Sequence, residues 1–277
     1  MAISNFIPTV WSETLAKALD KQYIAVRNCN RQFEGDIKNV GDRVKINSIG
    51  NVTVFDYKKN TDMTAPQTLD DSSITLVIDR AKAFNFQVDD VDKTQANVNL
   101  LRAAMGEAAN AIADEADSYI YSLYSEIAKS ETITKAGITY NDVVDLLISA
   151  REKLLSNNVN SNTDTVLEVS PAIAAVILKS KILQSTDNEA SISNGYLGSF
   201  VGFDIYVSNN IKKDESGSYK CYARTRRAIA YADQVNFVEA YRPEKRFADA
   251  VKGLHLYGAK IIYPKELLLL DLSVSAS

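Results

Sequence analysis

Histidine and tryptophan each occur once in this sequence and cysteine twice, and these shortages narrow its chemistry before any motif is sought. Cys29 and Cys221 lie far apart with no second cysteine beside either, so no thiolate metal cluster can be built from them. A single bridge and two reduced, partly buried thiols both fit, and a reducing compartment favours the thiols. His255 is a lone imidazole and supports neither a metal site nor a catalytic triad. Alternation around it, with Leu254 and Leu256 on one side and His255, Tyr257 and Ala259 on the other, reads as a strand carrying a structural or surface side chain. Long apolar runs are also missing: 267–270 is far too short to cross a bilayer. The opening MAISNFIP has neither the basic region nor the apolar core of a signal peptide, so a soluble chain made inside the cell is expected.

Phosphate-binding glycine loops are absent too. Gly195, Gly198 and Gly202 fit neither the dinucleotide fingerprint nor the P-loop spacing and read as turn and strand glycines. Asp89, Asp90 and Asp92 could face a divalent cation, but their place at the start of a long helical pattern has a simpler cause, complementing its N-terminal dipole. Residues 160–164 have the rhythm of a calcium loop without its central glycine or distal glutamate, and read as a polar loop. Arg224, Arg226 and Arg227 form the densest basic cluster; on a strand they would split between faces, as solvated or ion-paired groups rather than a nucleic-acid patch. No catalytic, cofactor-binding or metal-binding residue is nominated.

What is present is a chain of 277 residues, 46% hydrophobic and 24% charged, with a net charge of −4. It can bury a core, as one large domain or two joined ones, and its acidity argues against a dedicated nucleic-acid binder. Its dominant feature is a helical pattern over 92–128. Asp92 and Gln95 form a capping box, and Val98, Leu101, Met105, Ala108, Ile112, Ala116, Tyr119, Leu123 and Ile127 recur at steps of three and four. Such a helix would be roughly 50 Å long. Glu107, Asp114, Glu115 and Asp117 exclude a membrane span and leave a structural strut.

Before the strut, 42–56 and 74–78 alternate as two strands of a ribbon with a long polar tip. A lone ribbon is marginal in water, so it should lie on something else, with another subunit the natural candidate. Residues 1–35 read as an arm, with Trp11 either in a core or anchored on a neighbour. After the strut come helices at 140–155 and from Ser170-Pro171 onward, a buried strand at 164–169, and a strand-rich final third. Helices and strands mix without βαβ repetition, which defines an α+β chain.

Four stretches in this order resemble tailed-bacteriophage major capsid proteins of the Hong Kong 97-type fold. They are FIPTVWS at 6–12, GDRVKI at 41–46, AFNFQVDDVDKTQ at 83–95, and FADAVKGLHLYGAK at 247–260 with Tyr263-Pro264 downstream. The resemblance implies an N-terminal arm (1–35), an extended β-hairpin loop (36–80), a peripheral domain (81–134 and 231–277) carrying the spine helix (92–128), and an axial domain (135–230). It implies no enzyme and no cofactor. Copies would assemble into pentamers and hexamers of a virion head shell that encloses double-stranded DNA without reading its sequence and touches no membrane. A separate scaffolding protein, a portal and a decoration protein are implied partners, with assembly in the host cytoplasm. Trp11, Phe55, Tyr57, Lys58 and Lys59 are the inter-subunit contact candidates. Some relatives cross-link a lysine to an asparagine; Lys58 or Lys59 would be the position here, but the matching surroundings are missing and a solvated lysine pair is the preferred reading. The alternatives are a cellular nanocompartment shell of the same fold and a cytosolic α+β enzyme whose pocket draws on distant residues.

Overall fold

A computed structural model describes residues 23–33, 41–49, 54, 56, 59, 71–89, 99–160, 163–180, 196–245 and 248–275. Eleven strands and three α-helices are named among them: β1 (Arg43–Ile49), β2 (Asp71–Val77), β3 (Arg80–Asp89), α1 (Asn99–Ser122), β4 (Thr132–Ile138), α2 (Asp142–Ser156), β5 (Thr165–Val169), α3 (Pro171–Lys179), β6 (Tyr196–Phe200), β7 (Phe203–Val207), β8 (Tyr219–Thr225), β9 (Ile229–Tyr241), β10 (Ala248–Ile261) and β11 (Leu267–Val274). They form a ribbon β1-β2, a three-stranded antiparallel sheet β3-β10-β9, and a mixed sheet β4-β11-β8-β5-β7-β6.

The strut is real but ends earlier than its periodicity predicts. The described α-helix spans 24 residues, about 36 Å, and its expected capping box at Asp92 and Gln95 lies outside the described residues. After Ser122 the backbone tightens into a 3-10 turn, Leu123–Glu126. Ser122 Oγ donates to the Tyr119 carbonyl at 2.6 Å and Ser125 Oγ to that of Ser122 at 3.3 Å. These hydroxyls take up carbonyls that another helical turn would have used. The buried face is also wider than the expected line. Met105, Ile112 and Ala116 are buried as expected, and Ala109, Ala113, Asp117, Ile120 and Tyr121 join them, while Ala108 and Tyr119 are half-buried. A helix covered from more than one direction needs more than one stripe.

The three-stranded sheet shows how its two faces are used. Along β10, Gly253, His255 and Tyr257 face α1: Tyr257 meets Tyr119 edge-on at 5.5 Å, and the Phe84 ring lies over Gly253, where a Cβ would come within 2.2 Å of it. On the opposite face the ribbon is rooted. Val44, Ile46, Leu76 and Ile78 bury against Ala230, Ala232, Leu256 and Ile262 in a second core. At Gly258 the hairpin backbone passes so close that a Cβ would lie 2.3 Å from the Val77 carbonyl oxygen. The described half of the ribbon therefore finds its apolar partners on its own chain. That corrects the expectation of another subunit for these residues: Ala230, Ala232, Leu256 and Ile262 offer an apolar sheet face on the same chain. The strand β3 escaped the sequence reading, because its Phe84 and Phe86 led directly into the helical pattern.

The mixed sheet forms the second body of the core. β5 is buried throughout, which places layers on both its faces. Thr165 meets Arg151 of α2 on one face, and Glu168 points to the other. Thr139 and Asp142 mark the start of α2, with the Thr139 N–H donating to Asp142 Oδ2 at 3.1 Å. Hydrogen bonds from Thr139 and Lys135 hold the Asp142 carboxyl down at about 2. Ser170 caps α3, its Oγ accepting from the Ile173 N–H, and Pro171 sits in the first turn. Within residues 231–277, β9 and β10 pair with each other and β10 with β3, while β11 pairs with β8 and, in parallel, with β4, inside the mixed sheet. The run of buried leucines in β11 is that of a central strand covered on both faces.

Candidate assembly surfaces and a buried polar hub

Of the contact candidates, Trp11, Phe55, Tyr57 and Lys58 lie outside the described residues. Lys59 is exposed in a turn, and nearby Val54 is 90% exposed, the most exposed large apolar residue among those described. Asp90, Asp92 and Gly195 also lie outside the described residues, as does part of the 160–164 loop. Gly198 and Gly202 occupy the β6–β7 hairpin, both with positive φ, as turn-and-strand glycines should. Among the described residues no group of His, Cys, Asp and Glu could hold a metal, and no helix is long and apolar enough to cross a membrane.

The densest chemistry was not anticipated: residues 23–30, expected to be part of the N-terminal arm, are bound into the core of their own chain. Their short 3-10 turn, Val26–Asn28, has buried Val26 and Asn28. Three charged groups from three elements hold this segment. Asp117 of α1 accepts the Ile24 N–H at Oδ2 (2.9 Å) and the Val26 N–H at Oδ1 (3.0 Å). Arg224 of β8, fully buried, donates to the carbonyls of Asn28 (2.6 Å) and Ala25 (3.1 Å), and grips Glu168 of β5 through Nε and Nη2 at 3.2 and 2.8 Å. The Asn28 side chain completes the ring by donating to Glu168 at 3.1 Å. At the edge, Asp233 of β9 accepts from Tyr23 (3.2 Å) and Arg31 (3.4 Å) and meets His255 Nε2 at 3.0 Å. Asn30 then pairs with β9, its carbonyl accepting the Tyr231 N–H at 3.0 Å.

The electrostatics follow from burial. Desolvation pushes Asp117 up to about 7, against the lowering pull of the backbone N–H groups. Both thiols are buried: desolvation raises Cys29 to about 12 and Cys221 to about 12, so both are inert. For Asp233 burial works upward, but His255 and Arg31 outweigh it and hold the carboxylate low. His255 is fully buried and stacked on Tyr257 at 5.0 Å, so the structural reading holds and the surface one does not. The arginine cluster is ion-paired: Arg224 with Glu168, Arg226 with Asp204 at 3.8 Å and Arg227 with Glu266 at 2.6 Å. A sequence signal for this hub did exist, since Asp117 stands in phase with Ala113 and Ile120 on the apolar stripe of the strut.

The geometry describes a scaffold that locks its own N-terminal segment and presents no catalytic constellation among its described residues. Comparison with known proteins identifies that scaffold. The family model for the phage capsid protein matches residues 72–269, well over half the chain. The chain belongs to the phage capsid protein family. This capsid protein is similar to a solved structure from Mycobacterium phage Che8, with a TM-score of 0.70 and 27% identity, over 90% of this chain and 91% of that one. It shares the fold of the capsid of Ralstonia phage GP4 (TM-score 0.68, 10% identity, 94% and 91% covered). The holo-SrpI encapsulin complex of Synechococcus elongatus PCC 7942 has the fold as well (0.59, 12%, 84% and 83%). No curated protein sequence matches. The fold is the Hong Kong 97 type, mixed helix and sheet, and this is a structural shell protein of a virion capsid.

Proposed function

We propose that this protein is the head-shell subunit of a tailed phage, assembling with itself into pentamers and hexamers that enclose double-stranded DNA. The observation that carries this reading is the phage capsid family match over residues 72–269, together with the fold shared with the Che8 structure over 90% of this chain. A shell is built from many copies of such a subunit, each meeting its neighbours through repeated contacts. Trp11, Phe55, Tyr57, Lys58 and Lys59 are proposed as the inter-subunit contacts. The α1–β3–β10–β9 layer is proposed as the peripheral domain, and the mixed sheet with α2 and α3 as the axial domain. Individually modest contacts become strong when each subunit engages several neighbours. A scaffolding protein, a portal and a decoration protein are proposed partners, assembly is placed in the host cytoplasm, and the role is non-enzymatic.

Negative-stain microscopy of the purified protein, with and without a co-expressed scaffold, tests this: rings or hollow spheres are expected. Uniform monomers under every condition would overturn it. A nanocompartment shell is the second reading, favoured by the encapsulin likeness, but that likeness is weaker than the one to Che8 in both identity and TM-score. Recovery of shells packed with a protein cargo instead of DNA would decide for it.

A further inference from the structure

Two helices beside the mixed sheet leave apolar side chains facing out in aligned rows. On α2, Ile148 and Leu155 are 47% and 45% exposed, and half-buried Val144 extends their stripe by one turn. On α3, Leu178 is 51% exposed and stands in line with exposed Ala175 and Pro171. Scattered apolar residues on a surface need no explanation, whereas contiguous ones mark contact sites. The charges bordering the two stripes are opposite. Asp145 precedes Ile148 by one turn and Glu152 follows it by one turn, both exposed, so the α2 stripe has a rim of carboxylates. The neighbouring cations are drawn away from it: Arg151 is buried and donates to Thr165 at 3.0 Å, and Lys153 donates to the Ser130 carbonyl. α3 carries no carboxylate, and its one charge is Lys179, exposed beside Ala175 and Leu178.

We propose that the α2 stripe of one copy packs on the α3 stripe of a second copy, so that each subunit meets one neighbour through α2 and another through α3. Like does not suit like here. Two α2 stripes facing each other across a two-fold axis would set Asp145 and Glu152 against carboxylates, and two α3 stripes would set Lys179 against Lys179. Crossing α2 with α3 instead places the carboxylate rim beside Lys179 and lets Ile148 and Leu155 bury against the small Ala175. The lengths also match, since Ile148 to Leu155 and Pro171 to Leu178 each cover two turns, about 10 Å of helix. Such a contact is heterologous: it runs in one direction from copy to copy and closes as a ring when the rotation allows. The inference rests on the shell reading and adds to it the faces by which subunits meet around a ring.

Cross-linking of the full-length protein tests this, because Cys29 and Cys221 are buried and stay silent. Ile148→Cys and Ala175→Cys subunits, each with one exposed thiol, are mixed under conditions that give rings or shells and then oxidised. Disulfide-linked pairs joining one of each are expected in the mixture, and neither variant alone should link to itself. Rings or shells without mixed pairs overturn the contact and leave the shell reading intact, whereas wild-type monomers under every condition overturn both. Self-linked Ile148→Cys would assign the stripe to a two-fold contact. An Ile148→Cys thiol shielded from alkylation in free subunits would assign it to cover by the subunit's own chain. Each of these two results overturns the proposal. Charge reversal gives an independent reading if a cysteine variant does not assemble. Asp145→Lys with Glu152→Lys should raise the subunit concentration needed for assembly about tenfold, and adding Lys179→Glu should restore it. No rise, or a rise that Lys179→Glu leaves uncorrected, overturns the contact.

Discussion

Arg224 and Glu168 put a full charge pair where no water reaches, and the energetics of such pairs are asymmetric. Removing one partner strands the other, at a cost of about 3–5 kcal/mol, whereas removing both costs much less. Arg224→Met alone should therefore lower the denaturation midpoint sharply, and Arg224→Met combined with Glu168→Leu should recover part of that loss in the same measurement. Recovery should be incomplete, because Arg224 also holds the carbonyls of Ala25 and Asn28, and the Asn28 side chain loses Glu168. A second residue stores strain instead of charge. Val201, in the β6–β7 turn, has φ 51°, a left-handed conformation that a β-branched side chain resists. Val201→Asn fits that conformation and should raise the melting temperature, by the equivalent of about 1 kcal/mol; an unchanged melt would show that Val201 packing outweighs the backbone term.

The elements divide into those that periodicity declares and those that only context creates. The strut, both shorter helices and the buried strand β5 were legible because local pattern and tertiary use agree: Met105, Ile112 and Ala116 point where their spacing says they should. The Ser170-Pro171 start and the Thr139–Asp142 pair are local chemistry and were equally legible. β3 and β4 were not, since among the described residues β3 is an edge strand paired with β10 alone, and β4 has a mostly exposed face. The burial of residues 23–30 was also hidden, because it depends on Asp117, Glu168, Arg224 and Asp233, which stand some 90 to 210 positions away along the chain. Glycines within elements separate local from tertiary constraint most cleanly. Gly106 lies inside α1 with open space where its Cβ would be, so Gly106→Ala should stabilise the protein by about 1 kcal/mol through helix propensity alone. Gly258 is the opposite case, a site of backbone-to-backbone approach. Gly258→Ala should cost about 1–3 kcal/mol, and the loss should appear in hydrogen exchange as reduced protection of β1 and β2 before any other strand.

At the scale of the whole molecule, the relevant quantity is charge. The chain carries 35 acidic and 31 basic residues, and its basic cluster is occupied by internal ion pairs, so little of it is left to neutralise phosphates. A wall packed against DNA at high density benefits from this: each cation committed to a phosphate would release counterions and bind more tightly as salt falls, fixing the genome to its container. A net-acidic subunit with paired arginines should instead touch duplex DNA weakly. Free subunits titrated with duplex at low and at physiological salt should show weak association that changes little between the two. Strong binding that collapses steeply with added salt would mean that the acidic residues face outward and that the inner surface is a basic patch, and the account of an indifferent wall would then be wrong even with the shell itself intact. The two conditions separate the cases because a salt slope counts phosphates engaged, and so reads the charge of the DNA-facing surface independently of the net charge of the chain.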